Sequence, residues 1–270
     1  GGMHKIVEAM GLLAEELGVS IKTNHEVIKI ISNGNKAEAV ETSQGIFYAD
    51  VIVAGADYHH VETKLLDNKD RNYSDAYWDK RVMAPSSLLY YVGLDTKIDG
   101  LLHHNLFFDT DFTPHAHQIY TEPAWPEDPL FYASLTSKTD SIVAPEGHEN
   151  LFLLIPVAPG LKENEEIRSK YFDIILKRLE SYTGQSLKEH IVYYKSFAHQ
   201  DFISEYNSFK GNAYGLANTL KQTAILKPSL KSKKLNNLYF SGQLTTPGPG
   251  VPPSLISGLV VANEIEKEHL

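Results

Sequence analysis

The residues best suited to hold a ligand lie in one segment near the C-terminus, from Gly242 to Pro253. Three glycines and four prolines there exclude regular structure. Tyr239 and Phe240 before it favour a strand, and the apolar run after it predicts a helix capped by Ser254. A helix N-terminus behind a loop of small side chains attracts an electron-rich or anionic group. The pattern predicts a ligand-binding loop, although composition alone equally allows a plain connection.

The twelve histidines raise the question of a metal site. A His-x-His such as His115-Ala116-His117, if it lay on a strand, would place both rings on one face, with Asp109 or Asp111 available as further ligands. This region lacks a third histidine at fixed spacing, so we predict no metal. Asp109 and Asp111 also resemble the Asp-x-Asp of some sugar transferases, but three residues are a weak signal, and we interpret them as surface aspartates. No Gly-x-Ser-x-Gly elbow is present, which argues against a serine hydrolase.

The elements that position these residues follow from apolar periodicity. Apolar residues at helical spacing predict a helix over residues 3–17, with Gly18 ending it. Asn33-Gly34 between β-compatible runs predicts a hairpin, and a further short run extends it to a meander. The remaining predicted elements are strands at 26–31, 37–42, 46–49, 51–57, 87–94, 105–108, 117–121, 131–136, 151–158 and 191–197, and a helix at 163–183.

Residues 238–252 resemble a C-terminal segment that closes over the flavin in FAD-dependent phytoene dehydrogenases and carotenoid desaturases, a group of amine-oxidase-like flavoproteins. The resemblance continues upstream in the same order as in that family. It covers Gly1 to Met3, Leu102 to Asn105, Thr139-Asp140 with Ala144 to Glu149, and Ala213 to Leu216.

The resemblance implies an α/β (mixed α+β) fold with a partial FAD/NAD(P)-binding Rossmann-like domain and a sheet-and-helix substrate domain. The implied domains are 1–57 and 212–270 for FAD and 58–211 for substrate. It implies FAD contacts from Val27, Gly55, Gly242, Gln243, Gly248, Gly250, Val251 and Pro252. It also implies substrate contacts from His103, His104, Phe107 and Tyr214.

The Gly-x-Gly-x-x-Gly turn that binds the FAD pyrophosphate in this family is absent from these 270 residues. We therefore expect the chain to be the C-terminal portion of a longer flavoprotein. As an isolated fragment it should bind FAD weakly and be inactive.

The implied activity is desaturation or isomerisation of a carotenoid such as phytoene, with hydride transfer to flavin. Such a polyene has few polar groups, so apolar walls must supply affinity. Tyr90, Tyr91, Phe107, Phe108 and Phe112 are candidate wall residues, although each also suits an ordinary core. Alternatives are an amine oxidase, a retinol-saturase-like enzyme, or a non-catalytic binder of apolar ligands. The oligomeric state stays open.

Composition bounds these interpretations. A net charge of −9 and only four arginines disfavour nucleic acid as a partner. The absence of cysteine fits a reducing compartment, and we expect a cytoplasmic protein. The cluster Lys227, Lys231, Lys233 and Lys234 either lies in a solvated loop or contacts an anionic membrane surface peripherally.

Overall fold

The computed structural model describes residues 1–269 and contains two compact units. One unit comprises Gly1–Ile21 and Ser86–Gln200, and the other comprises Lys22–Pro85 and the chain from Asp201 onward. These bounds follow packing alone. The predicted division into FAD and substrate domains concerns ligands and stays a prediction.

The first unit contains a five-stranded antiparallel sheet and three helices. The strands are β5 (Ser86–Leu94), β6 (His104–Phe107), β7 (Phe131–Leu135), β8 (Glu149–Val157) and β9 (Ile191–Phe197), and the helices are α1 (His4–Glu16), α4 (Phe112–Tyr120) and α5 (Glu165–Thr183). In the sheet the strands lie in the order β6-β7-β8-β5-β9. Helix α5 buries Tyr171, Ile175 and Leu179 in the same core as the alternate residues of the central strands, and the Ile167 N–H, which donates to the Asn164 side chain, caps its start.

The second unit combines an antiparallel meander with a two-stranded parallel sheet. The Asn237 side chain joins them, because it accepts the Ala37 N–H at 2.8 Å and donates to the carbonyls of Ala37 and Asp50. Its strands are β1 (Val27–Asn33), β2 (Lys36–Thr42), β3 (Gly45–Tyr48), β4 (Ile52–Ala54) and β10 (Leu238–Phe240). Its helices are α2 (Tyr58–His60), which continues into a π-turn at Val61–Leu65, α3 (Asp75–Asp79) and α7 (Val251–His269). Helix α6 (His199–Tyr206) spans the boundary between the units.

The fold class is confirmed, and most predicted elements are present within a few residues. The strand predicted over 117–121 is wrong. Residues 117–120 lie in α4 and Thr121 caps its end, while Asp111 caps its start by accepting the Thr113 N–H at 2.9 Å. His115 and His117 therefore do not share the face of a strand. Among the described residues, no helix is both long and apolar enough to cross a membrane.

Candidate flavin-binding site

Two strands that are far apart in sequence end side by side in the second unit. Strands β4 and β10 pair in parallel, with Ala54 opposite Phe240. The Ser241 N–H continues the pairing by donating to the Ala54 carbonyl at 3.0 Å. Gly55 and Gly242 therefore emerge at the same edge of the sheet. The carboxyl ends of parallel strands are where open α/β sheets bind nucleotide-type ligands.

A cavity of about 600 Å³ lies at this edge. Its floor carries little side-chain bulk, because Gly55 and Gly242 both line it. Gly242 has a φ of 107°, which a side chain rarely tolerates. A ligand can thus lie directly against the backbone. The lining comprises Gly55, Ala56, Asp57, Tyr58, Phe202, Glu205, Tyr206, Asn207, Ser208, Asn212, Ala213, Ser241, Gly242, Gln243 and Leu244.

Gly242 is held from two sides. Its N–H donates to the hydroxyl of Ser257 at 2.8 Å, and that hydroxyl donates to the Ser254 carbonyl at 2.6 Å. Its carbonyl accepts the N–H of Thr245 at 3.1 Å and the hydroxyl of Thr245 at 2.7 Å. The side chain of Ser257 is fully buried. Ser257 was not predicted from the sequence as a site residue, so its anchoring role was missed.

Gln243 is positioned by a neighbouring loop. Its side-chain amide donates to Asn212 Oδ1 at 3.3 Å, and the same oxygen accepts the Gly215 N–H at 2.7 Å. Asn212 is nearly fully buried. The loop that carries Tyr214 and the loop that carries Gln243 are therefore fixed to each other through one amide group.

Asp57 lines the cavity and was not predicted from the sequence as a site residue. Its carboxylate accepts the N–H groups of His60 at 3.1 Å and Phe209 at 3.2 Å. Burial raises the pKa of Asp57 to about 6, against the opposing effect of these hydrogen bonds. Because Glu205 also lines the cavity, this part of the site suits hydroxyl or amino groups better than a bare phosphate.

Helix α7 begins at Val251 rather than at Ser254, so the prediction that Ser254 caps it is wrong. The Ser254 N–H already donates to the Gly250 carbonyl at 2.9 Å. Proline fits the first helical turn because its φ is helical and the turn needs no N–H partner there. Pro252 and Pro253 nevertheless remove two of the N–H groups that a helix N-terminus normally offers. What remains for a ligand is mainly the positive end of the dipole.

The other predicted flavin contacts are more dispersed. Gly55, Gly242 and Gln243 come together in the cavity, whereas Val27 lies on β1 and is absent from its lining. Gly248 and Gly250 have φ values of 135° and 109° in the loop before α7. These individual assignments stay predictions.

Three of the predicted substrate residues belong to the first unit. The rings of His103 and His104 lie 4.2 Å apart; His103 Nδ1 is 2.6 Å from the Thr139 hydroxyl, and His104 hydrogen bonds with the Tyr132 hydroxyl. Phe107 is buried and stacks on Phe131. Tyr214, in the second unit, is 41% exposed. Of the other candidate walls, Tyr90 lies in the core, and Tyr91, Phe108 and Phe112 are exposed.

His115, on α4, has structural partners. The His115 ring accepts the Leu130 N–H at 3.0 Å through Nδ1 and donates to the Pro156 carbonyl at 2.7 Å through Nε2. Among residues 1–269, no cluster of three or more histidine and acidic side chains is arranged to hold a metal.

Comparisons with known proteins agree with this geometry. The sequence profile of the flavin containing amine oxidoreductases matches residues 1–266. A carotenoid 3,4-desaturase of Haloarcula japonica is 46% identical over 96% of this chain and 52% of that protein. A zeta-carotene-forming phytoene desaturase of Myxococcus xanthus is 31% identical over 98% of this chain and 52% of that protein. The chain thus spans about half the length of these curated relatives.

Solved structures match the fold. An oxidoreductase from Methanosarcina mazei aligns with a TM-score of 0.66 at 15% identity, covering 96% of this chain and 53% of that one. A putrescine oxidase variant aligns with a TM-score of 0.60 at 14% identity, covering 95% and 51%. The resemblance to carotenoid desaturases predicted from the sequence is confirmed by the relatives, and the chain belongs to the family of flavin containing amine oxidoreductases.

Proposed function

We propose that this chain forms part of an FAD-dependent oxidoreductase that desaturates a carotenoid-like polyene. The observation that carries the proposal is the cavity at the carboxyl ends of β4 and β10, where Gly55 and Gly242 meet. The family implies a flavin, and the names of the relatives supply the substrate class. FAD, rather than a smaller flavin, suits a cavity that offers carboxylates to sugar or adenine groups.

The residues present fit such a cofactor. The cavity floor is backbone, held open by Gly242 at a φ that excludes most side chains. Asp57 and Glu205 offer acceptors for hydroxyl or amino groups of the nucleotide. The positive end of α7 follows Gly250 directly and favours negative charge nearby. These features support the second unit as the part of this chain that holds the cofactor.

The bound flavin would supply the acceptor for a hydride from a C–H bond beside conjugated double bonds. The substrate also loses one proton from the adjacent carbon, and a new C=C bond forms. The chain contributes orientation and exclusion of water rather than a strong base, since such C–H bonds are barely acidic. Tyr214 is suited to contact the substrate, because the next residue, Gly215, is fixed to the cavity loop through Asn212.

We extend the proposal to His103, His104 and Phe107 as substrate contacts of the first unit. His103 and His104 keep their rings oriented through Thr139 and Tyr132, both of which are hydroxyl-bearing residues. Oriented aromatic and imidazole faces suit a flat, conjugated ligand. A polyene of this kind partitions into lipid, so peripheral contact with a membrane belongs to the same proposal.

The test uses the protein encoded by the complete gene, loaded with FAD under anaerobic conditions. We expect a phytoene-type polyene to abolish the visible absorbance of the oxidised flavin and to yield a product with one further conjugated double bond. An amine substrate should leave the absorbance unchanged. Bleaching by an amine instead would establish an amine oxidase, and polyene binding without bleaching would establish a non-catalytic binder.

A further inference from the structure

Lys227 is a buried cation without a partner in the second unit. The residue is 5% exposed, and its Nζ makes no hydrogen bond and no ion pair with any of residues 1–269. Burial alone lowers the pKa of the ammonium group. Burying an unpaired charge costs several kcal/mol in order of magnitude. A methionine of the same length would fill this position without that cost, so packing does not explain the lysine.

The ammonium lies against the glycine- and proline-rich loop. A Cβ built on Gly248 would stand 3.4 Å from Lys227 Nζ and 3.5 Å from its Cε. The approach is fixed from both sides, because the Thr246 hydroxyl donates to the Ala224 carbonyl at 3.1 Å and the Lys227 N–H donates to the same carbonyl. Ala224 has a φ of 48°, an unfavourable value for a residue with a side chain. The backbone is therefore strained at Ala224, in the turn that places Lys227 against the loop.

Two sources of positive potential therefore converge on one loop. The Lys227 ammonium lies close to Gly248 in this loop, and α7, with its positive end, begins three residues further along the chain, at Val251. Each favours a negative charge, and among residues 1–269 no carboxylate forms an ion pair with Lys227. The arrangement calls for an anion that the described protein does not itself supply.

We propose that Lys227 stabilises the negative charge of the reduced flavin ring beside Gly248. The inference rests on the proposed function and specifies which part of the cofactor this loop receives. Acceptance of a hydride adds two electrons and one proton, so a neutral oxidised ring acquires one negative charge. A fixed cation in a site shielded from water favours that state over the neutral one. Lys227 thereby makes the bound flavin a stronger oxidant.

The experiment compares the flavin-loaded protein of the complete gene with its Lys227→Met, Lys227→Arg and Lys234→Met variants. Lys234 is an exposed lysine of a neighbouring loop and serves as the matched control. The readouts are the two-electron midpoint potential of the flavin, the affinity for oxidised FAD, and the unfolding temperature of the flavin-free protein. None of them depends on turnover.

For Lys227→Met we expect the preference for reduced over oxidised flavin to fall about tenfold, which lowers the midpoint potential by about 30 mV. Affinity for oxidised FAD should change by less than about twofold, and the flavin-free variant should unfold at the same or a higher temperature. Lys227→Arg should retain most of the potential, and Lys234→Met should match the wild type.

An unchanged potential in Lys227→Met overturns the inference while leaving the proposed function intact. Equal weakening of flavin binding in both redox states, which would indicate that Lys227 contacts the phosphates, also overturns it. So does a fall in the unfolding temperature of the flavin-free variant that accounts for its loss of flavin affinity. A wild-type protein that holds no flavin in either redox state overturns the proposed function, and this inference with it.

Discussion

The Cα of Gly215 lies so close to the backbone of Gln243 that a Cβ added to it would stand 3.0 Å from the Gln243 carbonyl oxygen. Gly215 also has a φ of 70°. The close contact disfavours a side chain at this position, and the left-handed backbone conformation disfavours it independently. The loop bearing Tyr214 therefore packs directly against the loop bearing Gln243, and Gln243 lines the cavity.

We expect Gly215→Ala to lower the free energy of unfolding by about 2 to 4 kcal/mol, because the left-handed conformation costs about 1 kcal/mol and overpacking adds more. The matched control is Gly184→Ala, at the same φ of 70° but with nothing within 4 Å of the added Cβ. It should show only the conformational cost. Denaturant unfolding of both variants checks the difference, and equal losses would contradict the close approach.

The Ser257 hydroxyl should prove necessary for the cavity loop. Ser257→Ala leaves the Gly242 N–H without its acceptor in a buried position, and an unsatisfied buried donor costs about 1 to 3 kcal/mol. We expect a loss of that size in the free energy of unfolding, together with weaker FAD binding. Titration with FAD and denaturant unfolding, both on the flavin-free protein of the complete gene, measure the two effects.

Ser186→Ala, at an exposed serine, is the control for Ser257→Ala. Intact stability and FAD affinity in Ser257→Ala would mean that the loop finds another acceptor for Gly242.

Glu62 should make stability fall as pH rises. It is fully buried and accepts the Asn72 N–H at 2.6 Å and the Trp78 indole N–H at 3.1 Å. Burial raises the pKa of Glu62 to about 7, from 4.5. A raised pKa means that the folded state holds the proton more tightly, so the stability it contributes is full below pH 4.5 and is lost as pH rises through 7. The loss amounts to about 3 kcal/mol at most.

Unfolding of the wild type between about pH 5 and pH 8 checks this dependence. Glu62→Gln should be less stable throughout this pH range, because the NH2 group of the new amide would face the Asn72 N–H or the Trp78 indole N–H, both of which are donors. Its stability should nevertheless depend less steeply on pH. Glu189→Gln, at an exposed carboxylate, should keep the slope of the wild type. An equally steep slope in Glu62→Gln would assign the effect to other groups.

Glu163 should act in the opposite direction. Burial raises the pKa of Glu163, but the His199 ring, whose Nδ1 lies 4.0 Å from the carboxylate, and hydrogen bonds from Gln200 and Arg168 outweigh it and lower the pKa to about 2. The contacts include Arg168 Nη2 at 2.6 Å and the Gln200 N–H at 2.9 Å. A depressed pKa means that its stabilising contribution is present above pH 4.5 and is lost as pH falls towards 2.

We expect Glu163→Gln to be destabilised near neutral pH and to lose less stability in acid than the wild type does. Glu165→Gln removes a carboxylate that lies 4.0 Å from Arg168 but is 84% exposed, so it should behave as the wild type does. Acid titrations followed by circular dichroism compare the three proteins. Parallel acid transitions in all of them would refute the role of Glu163.

The sequence by itself determined the elements whose patterns are local. Asn33-Gly34 fixed the hairpin of β1 and β2, helical spacing of apolar residues fixed α1 and α5, and the loop from Gly242 to Pro253 marked the ligand-binding segment. The family followed from the same motifs, because a loop that must let a ligand reach its backbone tolerates few substitutes for glycine. These features depend on neighbours in the chain, so they are legible without the fold.

The tertiary structure decided what depends on distant segments. Parallel pairing of β4 with β10 is what brings Gly55 to Gly242, and the Phe209 N–H reaches the half-buried Asp57 carboxylate from a distant segment of the chain. In sequence Lys227 is one of four clustered lysines, yet it is buried, whereas Lys231 forms an ion pair with Glu268. Burial and pairing are sums over contacts from the whole unit, and no local pattern encodes them.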